Sequence, residues 1–351
     1  MVPSGLARCL YLLLLAALSG CLQAGSLEKL WDLDLKKTLY GELPARHSLK
    51  VESLLFSPDA RQIVIVLPGR ALLIRTQDPV AVPDRFQLDE HDSFGWSPDS
   101  QIVTSGRRLV RLADRKECDL PQNTLFPHFV GNDSLVAMPA PVIPPVVAPG
   151  TSPSPGYRTV GFYDANCKQQ DSWNVEQEWG ITDASPEHGL LSVIELSGSF
   201  RSLIVNLPTR QILHSGSGGW FADNGRAVCW NGNCWATDSG QRLAHSPVRG
   251  SAGAAGHVAA RSSRIVLDDP HESAIPFSSA FTDLAARRRV WDFRSNTEVA
   301  SWPLKFLTYW TSFDLDGFNR DRRPVPCAIS PDGEYIAEGA DGKVSLYKVR
   351  P

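Results

Sequence analysis

The sequence lacks an excess of basic charge. Lys and Arg number 35 against 38 Asp and Glu, a formal net charge of -3, which removes the electrostatic ground for a polyanionic partner such as nucleic acid. It also has no Gly-rich phosphate loop, no nucleophile elbow and no His-Glu-x-x-His helix, so no nucleotide, acyl-transfer or zinc-protease signature calls for a cofactor or metal. Beyond the N-terminus no apolar run is long enough to span a bilayer.

The N-terminus itself is apolar from Cys9 to Ala17, with Arg8 as its basic residue, and leads to Leu18-Ser19-Gly20-Cys21. Such a run is too short to cross a membrane and reads as an export signal. Its ending resembles the lipobox of bacterial lipoproteins, which implies cleavage before Cys21 and lipidation of that thiol. The expected organisation is a signal over 1–20, a tether over 21–26 and one domain over 27–351. Leu22 after Cys21 favours, by the same resemblance, an outer-membrane lipoprotein facing the periplasm or the surface; the alternative is a secreted chain cut near Ala24.

Export permits disulfides. In Cys229-Trp230-Asn231-Gly232-Asn233-Cys234 the Asn-Gly pair is a strong two-residue hairpin signal, because both turn residues must take positive φ. Trp230 and Asn233 then close the turn, and Cys229 faces Cys234 at the next position, where side chains lie closest. A cross-strand disulfide is expected there. Cys118 and Cys167 form a second candidate pair, whose connectivity spacing does not fix. Cys327, in an apolar stretch, reads as a buried thiol.

An internal repeat sets the architecture. Phe56-Ser57-Pro58-Asp59 leads to Ile63-Val64-Ile65-Val66, Trp96-Ser97-Pro98-Asp99 to Ile102-Val103, and Ile329-Ser330-Pro331-Asp332-Gly333 to Tyr335-Ile336-Ala337. Ser185-Pro186-Glu187 and Asp223-Asn224-Gly225 occupy the same place in altered form. Pro presets φ at the first central position of a tight turn, and Asp or Gly tolerates the next. A third apolar strand such as Ala71-Leu72-Leu73-Ile74 and a weaker fourth follow, so the unit is four antiparallel strands over about forty residues.

These units resemble WD-repeat and WD-like β-propellers. Gly256-His257 with Trp291-Asp292 matches the frame of one such repeat, Trp31-Asp32 echoes its end, and Asp341-Gly342-Lys343-Val344-Ser345-Leu346-Tyr347 matches the segment into a third strand, with Tyr347 for the usual Trp. Most blades lack both signature pairs. Inner strand pairs near 52–66, 93–104, 127–137, 181–195, 218–229, 254–267 and 325–338 predict an all-β fold of seven four-stranded blades. The last of these runs out of sequence after three strands, so the segment Trp31 to Leu43 is expected to complete it and close the ring.

Three insertions break the spacing: the Pro-rich 138–156 in blade three, 267–283 with Asp268-Asp269-Pro270-His271-Glu272 in blade six, and 304–323 before blade seven. Each follows an even-numbered strand, which directs all three to one face. Long connections in compact domains are commonly functional. The third carries Tyr309, Trp310, Phe313, Phe318, Arg320, Arg322 and Arg323, the residue types that dominate interface hot spots. Within it, Asp314 to Asp321 has a superficial likeness to a calcium loop, but Phe318 takes a ligand position and Asn319 the glycine position, so it reads as an Asx-rich turn. Asp268, Asp269 and His271, read as a solvated acidic loop, complete the candidate binding set. The expectation is a non-enzymatic scaffold for a protein or peptide, tethered to a membrane through its lipid. The alternative is a propeller hydrolase or lyase with Asp268, Asp269 or His271 as acid-base groups at the central mouth.

Overall fold

The repeat's turn chemistry is visible in the computed structural model, which describes residues 26–39, 49–79, 84–87, 94–122, 124–139, 157–176, 179–195, 202–215, 219–245, 257–269, 286–314, 317–340 and 342–350. In each Ser-Pro-Asp turn the serine is fully buried and bridges its loop. Ser57 Oγ donates to Asp59 (2.6 Å) and accepts from Gln62 N (2.9 Å). Ser97 does the same with Asp99 and Ile102 N, and Ser330 with Asp332 and Tyr335 N. The turns end on Ala60, Ser100 and Gly333 at φ of 60°, 62° and 75°. Paired this way, the buried hydroxyls cost nothing in unmet hydrogen bonds.

Each turn joins the two innermost strands of a blade. Blade one runs Ser53–Phe56, Gln62–Leu67, Arg70–Arg75 and Asp84–Gln87, in that order across its sheet. Blades two to five repeat this order, their innermost strands being Phe94–Trp96, Thr124–Phe129, Trp179–Ser185 and Trp220–Ala222. In blade six the innermost strand is reduced to one bridge, Val258 with Ile265, beside the three strands Arg264–Asp269, Arg287–Asp292 and Thr297–Pro303. Blade seven takes Cys327–Ile329, Tyr335–Ala340 and Lys343–Val349 from the C-terminus and Leu27–Asp34 from the N-terminus. The N-terminal segment closes the ring as expected, but through Leu27–Asp34 rather than Trp31 to Leu43: residues 35–38 form a helical turn capped by Asp34, and 40–43 lie outside the described residues. Trp31-Asp32 lies on this outermost strand rather than at the end of a third strand, so its likeness to the family pair is one of sequence only.

The apolar runs of the second strands are buried on both sides, because successive residues serve different interfaces. Ile63 and Ile65 pack toward blade seven, while Val64 between them packs toward blade two. The described residues form seven apolar clusters, one for each junction between neighbouring blades.

Both cysteine pairs are disulfides. Cys229–Cys234 sits in the predicted register, with Trp230 opposite Asn233 and with Asn231 and Gly232 at φ of 47° and 76°. Cys118–Cys167, left open by the sequence, links the outermost strand of blade two to a turn of blade three. Cys327 is buried and free, and burial pushes its thiol up to about 12.

Candidate functional site

Topology separates two faces. The Ser-Pro-Asp turns and their equivalents lie on one, and the connections after second and fourth strands leave from the other. The third insertion is a correction in kind: rather than a loop it is a β-hairpin, Phe306–Asp314 with Gly317–Pro324, forming a two-stranded sheet that belongs to no blade. Its register sets Trp310 opposite Arg320, Tyr309 opposite Asp321, Thr308 opposite Arg322, Leu307 opposite Arg323 and Phe313 opposite Phe318. Of the Asx-rich segment, Asp314 ends the first strand opposite Gly317 and residues 317–321 belong to the second, while 315 and 316 lie outside the described residues. The seven hairpin candidates are thus brought into one element, although their side chains, like Cys21, His271 and most of the first two insertions, lie outside the described residues.

Asp268 and Asp269 are not in a solvated loop. They are the last two residues of a strand and form ion pairs with the strand beside it. Arg288, fully buried, donates through Nε and Nη2 to the two oxygens of Asp268 (2.5 and 2.9 Å) and through Nη2 to Val325 O (2.9 Å). It also reaches Glu338 of blade seven at 3.5 Å, and Glu338 further accepts from Trp302 Nε1 (3.2 Å) and Lys305 Nζ (2.7 Å). Burial pushes the Asp268 carboxyl up, but the Arg288 pair outweighs it and holds the group below the ordinary range. Asp269 pairs with Arg289 (2.8 Å), which also holds Glu298 (2.9 Å). His257, expected as the signature histidine of blade six, is buried at this junction, and desolvation lowers it to about 4. A paired, ionised Asp268 is a poor acid-base group; its geometry is that of a latch between blades six and seven.

The opposite face carries a cavity of about 350 Å³ on the propeller axis. The prolines of four repeat turns, Pro58, Pro98, Pro186 and Pro331, line it together with Phe56, Trp96, Phe129, Trp220 and Phe221. Deeper in lie His128, Thr182 and Asp183. Asp183 follows a register shift in the innermost strand of blade four, and its carboxyl accepts from Ala184 N and, across the junction, from Phe221 N, each at 2.8 Å. Desolvation raises it to about 7 against those two bonds. His128 is lowered to about 4 by desolvation, despite a bond to the Ile181 backbone. The indole Nε1 of Trp96 is buried and has no hydrogen-bond partner among the described residues. Sequence reasoning missed this site. One signal was present: Phe56, Trp96, Ala184 and Ile329, each immediately before a turn serine, all line it.

The described residues hold no cluster of three or more His, Cys, Asp or Glu side chains able to bind a metal. Fold and register define a seven-bladed, WD-like β-propeller. No protein-family model and no curated protein sequence matches the chain. Among solved structures it is similar to the β-propeller domain of Cps50 (Swd1) from Myceliophteria thermophila, with a TM-score of 0.55 and 9% identity over 86% of this chain and 99% of that one. It is also similar to a chain of the mitotic checkpoint complex, with a TM-score of 0.56 and 12% identity over 94% of each. At such identities the likeness shows the fold alone.

Proposed function

We propose that the chain is an exported, non-enzymatic propeller scaffold, tethered by a lipid on Cys21, that docks a protein or peptide on the face carrying the insertions. The observation that carries this reading is the hairpin Phe306–Asp314 with Gly317–Pro324, a two-stranded element outside the blades whose sequence is rich in aromatic and Arg residues. The two disulfides suit an oxidising, exported compartment. One similar structure is itself part of a multiprotein complex, as a docking role requires. The described residues contain no helix long and apolar enough to cross a membrane.

The point of chain entry fits the tether. Leu27 pairs with Val349, whose N–H bonds to Glu334 O beside the Ser330 turn, so the N-terminal strand begins on the face opposite the insertions. The anchored protein then presents its insertions away from the bilayer. Crosslinking in intact cells, followed by recovery of the native chain and of a variant with residues 306–324 replaced by a short turn, tests docking. Loss of a specific partner from the variant supports the reading, and equal recovery of every partner defeats it. Radiolabelled fatty acid incorporation, abolished by Cys21→Ala, tests the anchor.

A further inference from the structure

We infer that the axial cavity on the turn face is a binding site for a small organic cation with an aromatic or apolar body, its charge meeting Asp183 and its body the aromatic wall. The site lies opposite the insertions, so the inference stands apart from the docking reading.

The cavity is preformed. Pro58, Pro98 and Pro331 stand in turns whose buried serines are doubly hydrogen-bonded, so its walls need little ordering on binding. Two backbone N–H groups aim the Asp183 carboxyl without neutralising it. The ionisable groups among the described lining residues are Asp183, His128, Glu187 and Arg261. Glu187 and Arg261 sit in the turns of blades four and six, at the mouth, and offset each other in sign. Desolvation leaves His128 neutral above about pH 4, so the ionised form of Asp183 is the one uncompensated charge of the interior.

Largely apolar walls with a few polar groups, among them one buried carboxyl, describe a small-molecule site. Aromatic faces attract cations, most strongly where water is excluded. A neutral ligand would leave the carboxyl as badly solvated as before; a cation supplies the counter-charge that it lacks.

Binding by a cation must also release the proton that Asp183 holds near neutrality. With the carboxyl at about 7, its ionised fraction falls roughly tenfold between pH 8 and pH 6, and the affinity for a permanent cation falls with it.

Calorimetric titration of the purified full chain with (3-methoxyphenyl)trimethylammonium and with its uncharged isostere 3-tert-butylanisole, neither of which titrates between pH 6 and pH 8, tests this. The cation is expected to bind about tenfold or more tighter than the isostere at pH 8, and about tenfold more weakly at pH 6 than at pH 8, while the isostere is indifferent to pH. Asp183→Asn should abolish the preference and Trp96→Phe should weaken both probes. Equal affinities, a preference independent of pH, or no saturable binding of the cation at millimolar concentration would overturn the assignment. The wild-type comparison at two pH values decides it even if Asp183→Asn does not fold.

Discussion

Removing the N-terminal strand should open the ring. Leu27–Asp34 is held in antiparallel register from Leu27 opposite Val349 to Asp34 opposite Lys343, with one irregularity between Lys29 and Trp31. Asp32 fastens it by accepting from Ser345 Oγ (2.5 Å) and pairing with Lys343 (2.8 Å) and Lys29 (2.6 Å). Burial opposes its charge, yet these partners hold the carboxyl well below the usual range. The short helix Leu35–Thr38, capped by the Asp34 carboxylate, then turns Leu35 into the cluster between blades seven and one, which also buries Leu33 and Leu39. Burying a leucine fully contributes about 1.5–3 kcal/mol, so the three contribute about 5–9 kcal/mol. The whole stability of a domain is about 5–15 kcal/mol. A chain starting at residue 40 should therefore have no cooperative melting transition near that of a chain starting at residue 22. The single change Leu35→Ala should cost about 2–5 kcal/mol and lower Tm by about 3–7 °C. Differential scanning calorimetry of the three proteins measures both effects, and a truncated chain that melts where the longer one does would refute the closure.

Three further outcomes follow from the same contacts. Replacing both Cys118 and Cys167 by Ser should cost about 4 kcal/mol and the Cys229, Cys234 pair about 2 kcal/mol, because the closed loops differ in length; urea denaturation of the two double variants ranks them. Arg288→Met should destabilise by about 3–5 kcal/mol by stranding Asp268, and adding Asp268→Leu should recover part of that loss; a double variant no better than the single one counts against the latch. The fold raises the Asp183 carboxyl from 3.8 to about 7, so the stability tied to its proton is present below pH 4 and lost as pH rises through 7. Urea denaturation should show Asp183→Asn gaining on the native chain by about 2 kcal/mol from pH 4 to pH 8, a figure discounted for the part of the carboxyl that the cavity leaves open.

What was legible in the sequence was local. Ser-Pro-Asp turns and the Asn231-Gly232 hairpin declare themselves within a few residues, because each needs a particular φ and a particular side-chain acceptor. The inner strand pairs followed from them, with blade six the exception since its first strand survives only as the Val258 bridge. What was not legible depends on distant partners. Asp268 looked like part of an acidic loop because Arg288, which decides its state, lies 20 residues on, across an insertion. Cys118 and Cys167 meet only once blades two and three are stacked. The hairpin strands Phe306–Asp314 and Gly317–Pro324 pair only with each other, outside the blade repeat, so the repeat spacing carried no sign of them. The cavity was invisible for a related reason: it is assembled from a few ordinary residues of each blade, which meet only when the ring closes.

The division of labour between the faces follows from the parity of the connections. A connection after a first strand begins at the axis, so lengthening it would put chain across the cavity mouth. In blades one, two and seven it is held to a Ser-Pro-Asp turn, in blade four to the single turn Pro186–His188 and in blade five to Asp223-Asn224-Gly225. Connections after second and fourth strands leave from the other end, and all three insertions are found there. The outermost strand of blade seven must run antiparallel to its neighbour, so its N-terminus is bound to lie at the turn end, where Arg350 N meets Ser26 O. A tether of six residues reaches at most about 20 Å, so a lipid on Cys21 would keep the cavity mouth on the membrane side of the ring and the hairpin on the far side. A small cation and a macromolecular partner would then reach the same molecule without competing for one surface.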